Sequence, residues 1–120
     1  MKQSFGLLGP DCLLLHIPEN PREMEKGYIG KEIIEGEGML FSFSRAQLTP
    51  ILMDGMKTSL DVLWIRDGVV DTIVEQFFGR MIAAVGEKII ELPAGYVRKK
   101  GIKRGDDFCL VEDEDAQRSN

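Results

Sequence analysis

Asp61 is the residue of this chain whose position most clearly requires a chemical explanation, because it stands directly before the apolar run Val62–Ile65. An ionised carboxylate that points into an apolar core without a partner is very costly. Asp61 must therefore reach backbone N–H groups, a cation or water. Two interpretations stay open: Asp61 is either a structural tie or part of a site.

Other residues with reactive or metal-binding side chains form no recognised pattern. Cys12 and His16 could share one face of a strand, and Cys109 could join them in space, but no Cys-x-x-Cys or Cys/His ligand spacing is present. We therefore expect no metal site and no cofactor. The serines have only His16 as a possible histidine base and no Gly-x-Ser-x-Gly motif surrounds them, which argues against nucleophilic catalysis.

The element that must position Asp61 is marked by the pair Asp67–Gly68, which lies between two runs rich in β-branched residues. This pattern is typical of a β-hairpin with a two-residue type I′ turn. Such a turn predicts four cross-strand pairs: Arg66 with Val69, Ile65 with Val70, Leu63 with Thr72, and Asp61 with Val74. Because side chains alternate along a strand, Asp61 should share the core-facing side of the hairpin with four apolar residues: Leu63, Ile65, Val70 and Val74.

Glycine and proline divide the rest of the chain into short runs. We predict strands at residues 12–17, 39–43, 51–53, 88–92 and 108–111, helical turns at 21–28, a polar connector at 44–49, and a turn or short helix at 95–102. These elements indicate a mainly β (β-rich α+β) fold, a compact single-domain barrel-like sheet with one or two short helices. The domain should span residues 1–111, and the acidic segment 112–120 is predicted to be disordered.

Composition narrows the classes of partner and compartment. The formal net charge of −5 disfavours nucleic acid and anionic lipid over most of the surface, although residues 98–104 form a basic cluster. No apolar run is long enough for a membrane span and no secretory signal is recognised, so we expect a cytoplasmic protein. Free thiols suit that reducing compartment. An exposed strand edge could pair two copies, so we expect a monomer or a weak homo-oligomer.

Four segments, in this order, match motifs of one family: GMLFSF (38–43), MDGMKTSLDVLWI (53–65), IIELPAG (89–95) and GIKRGD (101–106). The chain resembles domain-of-unknown-function family 192 over nearly its whole length. It departs from the family pattern at Ile29, where methionine is usual, and at Ser59, where proline is usual. The resemblance implies a compact β-rich, barrel-like domain, and it implies no established activity. The recurrent polar positions of the family correspond here to Asp61, Glu91 and Asp106.

Two or three carboxylates that converge in a pocket could bind a divalent cation or act as general acid and base. Each of them could instead accept backbone N–H groups at a turn or at a strand end. No catalytic residue is assigned. The candidate ligand-binding residues are Asp61, Glu91, Lys57, Asp106, Gly55 and Gly95.

Three functions are compatible with these residues. The favoured one is a module that binds a small molecule or a protein partner without catalysis, in a polar pocket around Asp61 and Glu91. The second is a hydrolase that uses the same carboxylates in metal-assisted or acid–base chemistry. The third is a salt-dependent contact with nucleic acid or with an acidic partner through residues 98–104.

Overall fold

The computed structural model describes residues 1–111, which form seven strands and two short helices. Along the chain these are β1 (Lys2–Leu8), β2 (Asp11–Ile17), α1 (Pro21–Lys26), β3 (Glu37–Leu52), β4 (Leu60–Arg66), β5 (Val69–Phe77), β6 (Met81–Pro93), α2 (Tyr96–Lys100) and β7 (Phe108–Leu110). The prediction of a mainly β fold with one or two short helices is confirmed. The predicted disorder of residues 112–120 falls outside the described residues.

The seven strands belong to one sheet with the order β5-β4-β6-β3-β2-β1-β7. Neighbouring strands run antiparallel, except β2 and β3, which are parallel and are joined by a connection that contains α1. The two edges of the sheet approach each other near β7. There the Val70 N–H donates to the Asp106 carbonyl, and the Phe108 N–H donates to the Gly68 carbonyl, each over 2.8 Å. The sheet is therefore curled into a half-barrel.

The first strand, β1, is not predicted by the sequence pattern, because Gly6 and the Gly9–Pro10 pair are typical strand breakers. In the structure Gly6 lies in the middle of β1, where a Cβ atom would come within 2.6 Å of Leu15 Cδ1. Leu8, on the same face of the strand, is fully buried. The glycine thus permits close contact with β2 instead of ending the strand.

The polar connector predicted at residues 44–49 is wrong, because β3 continues through this stretch. Residues 44–48 are exposed, so their polar side chains do not conflict with a strand. The pairing of β3 with β6 shifts between Ser42 and Gln47, as it does at a β-bulge. A bulge bends a strand. Because this part of β3 is both bent and exposed, it lacks the regular alternation of apolar and polar residues by which a strand is recognised in a sequence.

The second half of β3 and the first half of β6 form a ribbon that covers one face of the sheet. β6 begins at Met81, well before the start predicted at residue 88. Ile51 and the partly buried Ile82 pack from this ribbon against the sheet. The Trp64 indole N–H donates to the Thr49 carbonyl over 3.1 Å, which ties the ribbon to β4.

The predicted hairpin of β4 and β5 is confirmed. Asp67 and Gly68 have φ angles of 53° and 77°, as a type I′ turn requires. The two predicted pairs next to the turn are present: Arg66 with Val69 and Ile65 with Val70.

Beyond these pairs, a bulge between Trp64 and Ile65 shifts the register. Two predicted pairs are therefore wrong: Leu63 lies opposite Ile73 and not Thr72, and Val74 lies opposite Val62 and not Asp61. Val74 consequently packs on the other face of the sheet from the one predicted. The turn residues fix only the pairs next to the turn, and a bulge changes every pair that follows.

Both faces of the sheet are buried, although the sequence pattern singles out one. The first cluster fills the inside of the curl and receives residues from every strand and from α2: Leu8, Leu13, Leu15, Leu40, Leu63, Ile65, Val70, Ile90, Leu92, Tyr96, Val97, Ile102 and Phe108. The second cluster lies on the opposite face: Tyr28, Met39, Phe41, Ile51, Met53, Leu60, Val62, Trp64 and Ile89. Strand β4, which lies between β5 and β6, is therefore buried on both sides.

Asp61 points to the side of the first cluster and is fully buried. Its Oδ1 atom accepts the Gln76 backbone N–H over 2.8 Å, and its Oδ2 atom accepts the Val97 backbone N–H over 2.9 Å. Gln76 has a positive φ of 52°, and Val97 lies in the first turn of α2, whose N-cap residue Gly95 has no side-chain acceptor. Asp61 thus supplies the acceptor for this helix start and joins β4 to β5 and to α2.

We expect Asp61→Asn to lower the free energy of unfolding by about 2–4 kcal/mol, because one buried backbone N–H would then face an amide NH₂ group without an acceptor. Urea unfolding followed by the fluorescence of Trp64, the single tryptophan, measures this loss. Asp54→Asn, at an exposed aspartate, is the matched control and should change stability by less than about 0.5 kcal/mol. Equal stability of both variants would show that the Asp61 hydrogen bonds are not a structural tie.

Candidate functional site

A cavity of about 230 Å³ lies at the edge of the second cluster. Its walls come from α1, from the loop that follows α1, from β3 and from β6. Most of this wall is apolar: Met24, Ile29, Phe41, Phe43, Ile51 and Met53. Glu91 lines the same cavity from β6, so that a carboxyl group lies within an apolar surround.

Glu91 is the buried ionisable group of this cavity, with 4% of its surface exposed. Its cross-strand partners are Met39 on β3 and Val62 on β4, both fully or almost fully buried. Within residues 1–111, the Glu91 Oε1 atom has no hydrogen-bond partner. Because burial disfavours the charged form, the pKa of Glu91 is raised from its ordinary value of 4.5 to about 7. Near neutral pH the cavity can therefore contain either a neutral acid or a carboxylate.

Tyr28 is the second polar group of the cavity. Its hydroxyl is buried and finds no partner among the described residues. Burial, followed by the carboxyl groups of Glu91 and Glu37, raises the pKa of Tyr28 above its ordinary value of 10.0, so the phenol stays neutral. A buried polar atom without a partner is costly. Glu91 and Tyr28 together therefore need water or a ligand to complete their hydrogen bonding.

The α1 segment closes this side of the cavity through local signals. Asn20 caps the helix by accepting the Glu23 N–H at its Oδ1 atom over 2.9 Å, and Pro21 follows it in the first helical turn. Gly27 ends the helix with a φ of 50°. A Cβ atom at Gly27 would lie 3.3 Å from Glu91 Oε1. The glycine thus lets the backbone pass close to the carboxyl group.

Two further candidate residues, Gly55 and Lys57, line a neighbouring cavity of about 280 Å³. Tyr28 and Met56 line both cavities, so Lys57 lines the cavity next to that of Glu91. Gly55 has a φ of 89°, a conformation that favours glycine. The structure therefore brings three of the six candidate residues to one region.

The other three candidates lie elsewhere. Asp61 and Glu91 point to opposite faces of the sheet, since Asp61 packs on the first cluster and Glu91 lies beside the second. Asp106 accepts the Lys103 N–H over 2.9 Å within the turn before β7. Gly95 begins α2 with a φ of 89°. The structure does not bring these residues to the cavity of Glu91.

Sequence reasoning did not identify the residues that complete this cavity. Phe41 and Phe43 belong to the segment GMLFSF, whose alternation places both on the face of Met39. Tyr28 follows Gly27 in a segment that also has a counterpart in the family motifs. These local patterns are present in the sequence. The contact between the α1 segment and β6, however, joins residues far apart in the chain, and no sequence pattern indicates it.

The basic cluster of residues 98–104 is largely matched by acidic side chains. Four of its cations have a carboxylate within 4.0 Å: Arg98 with Glu75, Lys99 with Glu35, Lys100 with Asp11, and Arg104 with Asp71. Exposed pairs of this kind add little stability. They do reduce the positive potential that a nucleic acid would meet.

The two cysteines and the histidine do not form a common site in the described residues. Cys12 and Cys109 are exposed free thiols on either side of β1, both opposite Leu7. His16 instead contacts Glu37, with Nε2 at 2.5 Å from Oε1. Across residues 1–111, no three His, Cys, Asp or Glu side chains assemble into a group that could hold a metal ion.

The fold and the cavity define a small curled β domain with one partly unsatisfied polar pocket. The sequence matches the family DUF192, described as "Uncharacterized ACR", over residues 9–109. The chain therefore belongs to this family, as its motifs indicate. No match was found among curated proteins.

Two solved structures have a similar fold. One is a protein of Sinorhizobium meliloti 1021 proposed as a transcription regulator, with 24% identity, a TM-score of 0.81, and coverage of 90% of this chain and 92% of the other. The second is a protein of unknown function from Novosphingobium aromaticivorans DSM 12444, with 19% identity, a TM-score of 0.82, and coverage of 89% and 84%. At these identities the likeness concerns the fold alone. In the part of the chain that the structure describes, no helix has the length and apolar character needed to cross a bilayer.

The raised pKa of Glu91 predicts how stability depends on pH. Below about pH 4.5 the Glu91 carboxyl is protonated in both the folded and the unfolded chain, so it does not make the free energy of unfolding depend on pH. Between about pH 4.5 and 7 the unfolded chain releases this proton and the folded chain retains it, so stability falls as pH rises. Above about pH 7 the loss is complete and amounts to about 3 kcal/mol.

We therefore expect Glu91→Gln to be about 3 kcal/mol more stable than the wild type at pH 8 and about equal to it at pH 4.5. Urea unfolding at a series of pH values tests this. Glu25→Gln, which removes an exposed carboxyl at the rim of the same cavity, should leave the shape of the wild-type curve unchanged. A constant difference between Glu91→Gln and the wild type at every pH would contradict the prediction.

Proposed function

We propose that this chain is a small-ligand-binding β module whose site is the cavity of Glu91 and Tyr28. The observation that supports this most directly is the pair of buried polar groups without partners inside an apolar cavity. Leaving such groups unsatisfied in the folded protein costs free energy. A ligand that supplies partners to both groups would gain affinity from removing that cost.

The shape and composition of the cavity fit this function. Small-molecule sites are concave, largely apolar and provided with a few polar groups that fix orientation. Here Phe41, Phe43 and Met53 provide apolar surface, while Glu91 and Tyr28 provide the polar contacts. Lys57, at the neighbouring cavity, could extend the site for a longer ligand.

The two other functions have less support. A hydrolase with paired carboxylates needs Asp61 and Glu91 near one reacting centre, but they point to opposite faces of the sheet. A contact with nucleic acid through residues 98–104 would have to displace the carboxylates that already pair with this cluster. We propose the cytoplasm as the compartment of this binding activity, on the basis of the free thiols of Cys12 and Cys109.

The test is a screen of small fragments followed by amide chemical shifts of the labelled protein. We expect the shifts caused by bound fragments to concentrate on residues 24–29 and on Glu91. Met24→Trp, which places a large ring at the cavity wall, should weaken this binding by at least about tenfold, equivalent to about 1.4 kcal/mol.

Ala94→Trp serves as the matched control, because Ala94 lines a separate concavity with Glu35 and Tyr96. It should leave fragment binding unchanged. If fragments bind elsewhere on the surface, or bind Met24→Trp as well as they bind the wild type, the cavity is not a ligand site.

A further inference from the structure

We propose that the ligand of this cavity is a small primary ammonium compound, with its charged group at Glu91 and a short apolar chain against the aromatic wall. This inference rests on the proposed function and specifies the ligand class. It depends on three properties of the cavity: the lack, within residues 1–111, of an ion pair to Glu91, the nature of the walls, and the volume.

The carboxyl group of Glu91 has no basic partner in the described part of the chain. Among residues 1–111, no basic side chain forms an ion pair with it, and burial is the only cause of its raised pKa. The Oε1 atom also accepts no hydrogen bond. An ammonium group provides both a positive charge and N–H donors, and charge-assisted hydrogen bonds are about twice as strong as neutral ones.

The walls favour a cation over an anion. Tyr28, Phe41 and Phe43 line the cavity, and the faces of aromatic rings attract positive charge. Met24 and Met53 add polarisable thioether groups that adapt to an alkyl chain. An anionic ligand would meet the buried carboxylate of Glu91, whereas Lys26, the basic residue that lines the cavity, is exposed and forms no ion pair with Glu91. This class of ligand is therefore disfavoured.

The volume sets the size of the ligand. A cavity of about 230 Å³ has room for several groups of the size of a water molecule. An ammonium group with a chain of about five carbon atoms has a comparable number of non-hydrogen atoms. The part of the ligand that enters this cavity is therefore no longer than about five carbon atoms plus the ammonium group.

The probes for the test are n-pentylamine and 1-pentanol, which have similar shapes and differ in charge. Binding is measured by amide chemical shifts at pH 8, where Glu91 is mostly ionised. We expect the amine to bind the wild type at least about tenfold more tightly than the alcohol. In Glu91→Gln, we expect the affinity of the amine to fall to about that of the alcohol.

A pH series gives a second readout. An alkylammonium group resembles a lysine side chain, with a pKa of about 10.4, so the amine stays charged between pH 5.5 and 8. A change in the affinity of the amine over this pH range therefore reflects the titration of a group in the protein. Protonation of Glu91 at pH 5.5 should weaken binding of the amine to about that of the alcohol, by at most about thirtyfold, and leave binding of the alcohol unaffected.

The effect of Glu91 on the pH dependence of binding must be distinguished from the effects of other titratable groups nearby. Tyr28 faces it from the loop after α1, Glu25 and Lys26 line the cavity rim, and Glu37 lies beyond Tyr28 on β3. Only a histidine normally titrates in this pH range, and His16 contacts Glu37. The variant His16→Gln should retain the pH dependence, whereas Glu91→Gln should abolish it.

The outcomes separate the ligand class from the proposed function. Stronger binding of the amine that is lost in Glu91→Gln supports the proposal. Equal binding of amine and alcohol, or binding of other fragments to the cavity without any binding of the amine, overturns the ammonium class and leaves the cavity as a ligand site. If no probe or fragment binds in the cavity of the wild type, both the ligand class and the proposed function are wrong. Circular dichroism of each variant confirms that it is folded.

Discussion

The buried carboxylate of Asp61 is the constraint on which the arrangement of β4, β5 and α2 depends. Its two oxygens accept backbone N–H groups from Gln76 and Val97, so three elements that are separate in sequence meet at one point. Gln76 adopts a positive φ there, and the start of α2 takes its acceptor from β4 because Gly95 offers none. Once α2 is fixed, Tyr96 and Val97 complete the first cluster. An acidic residue thus organises the core because backbone donors surround it.

Asp61 and Glu91 show how one sheet can contain both a buried acid with hydrogen-bonded oxygens and a buried acid without hydrogen bonds to Oε1 from residues 1–111. They belong to adjacent rows of the β4–β6 pair, since Asp61 lies opposite Leu92 and Val62 lies opposite Glu91. Alternation directs them to opposite faces. The oxygens of Asp61 are saturated by backbone donors, whereas Glu91 Oε1 has no donor within the described chain. The hydrogen bonds of Asp61 connect three elements of the fold, whereas Glu91 Oε1 makes no such connection among the described residues.

Features with local signals can be predicted from this sequence. The turn at Asp67–Gly68 follows from residues that tolerate positive φ, and α1 follows from the Asn20 cap and the proline after it. The bulges near Trp64 and Ser42 depend on the curl of the whole sheet, so the sequence does not mark them. The candidate site likewise combines a feature that has a local signal in the sequence with one that has none. The family motifs indicate Glu91, but its separation from Asp61 depends on the register between β4 and β6, which no local pattern encodes.

The pairing of β1 with β7 has a consequence for how the chain folds. Leu8 lies opposite Phe108, so segments about a hundred residues apart form neighbouring strands. Contacts this distant in sequence require a large loss of chain entropy and slow folding. The β4–β5 hairpin can form while the ribosome is still synthesising the chain, but the half-barrel must wait for β7. Until then the surface of β1 and β2 that packs against Phe108 lacks this cover, and apolar surface exposed during folding favours aggregation.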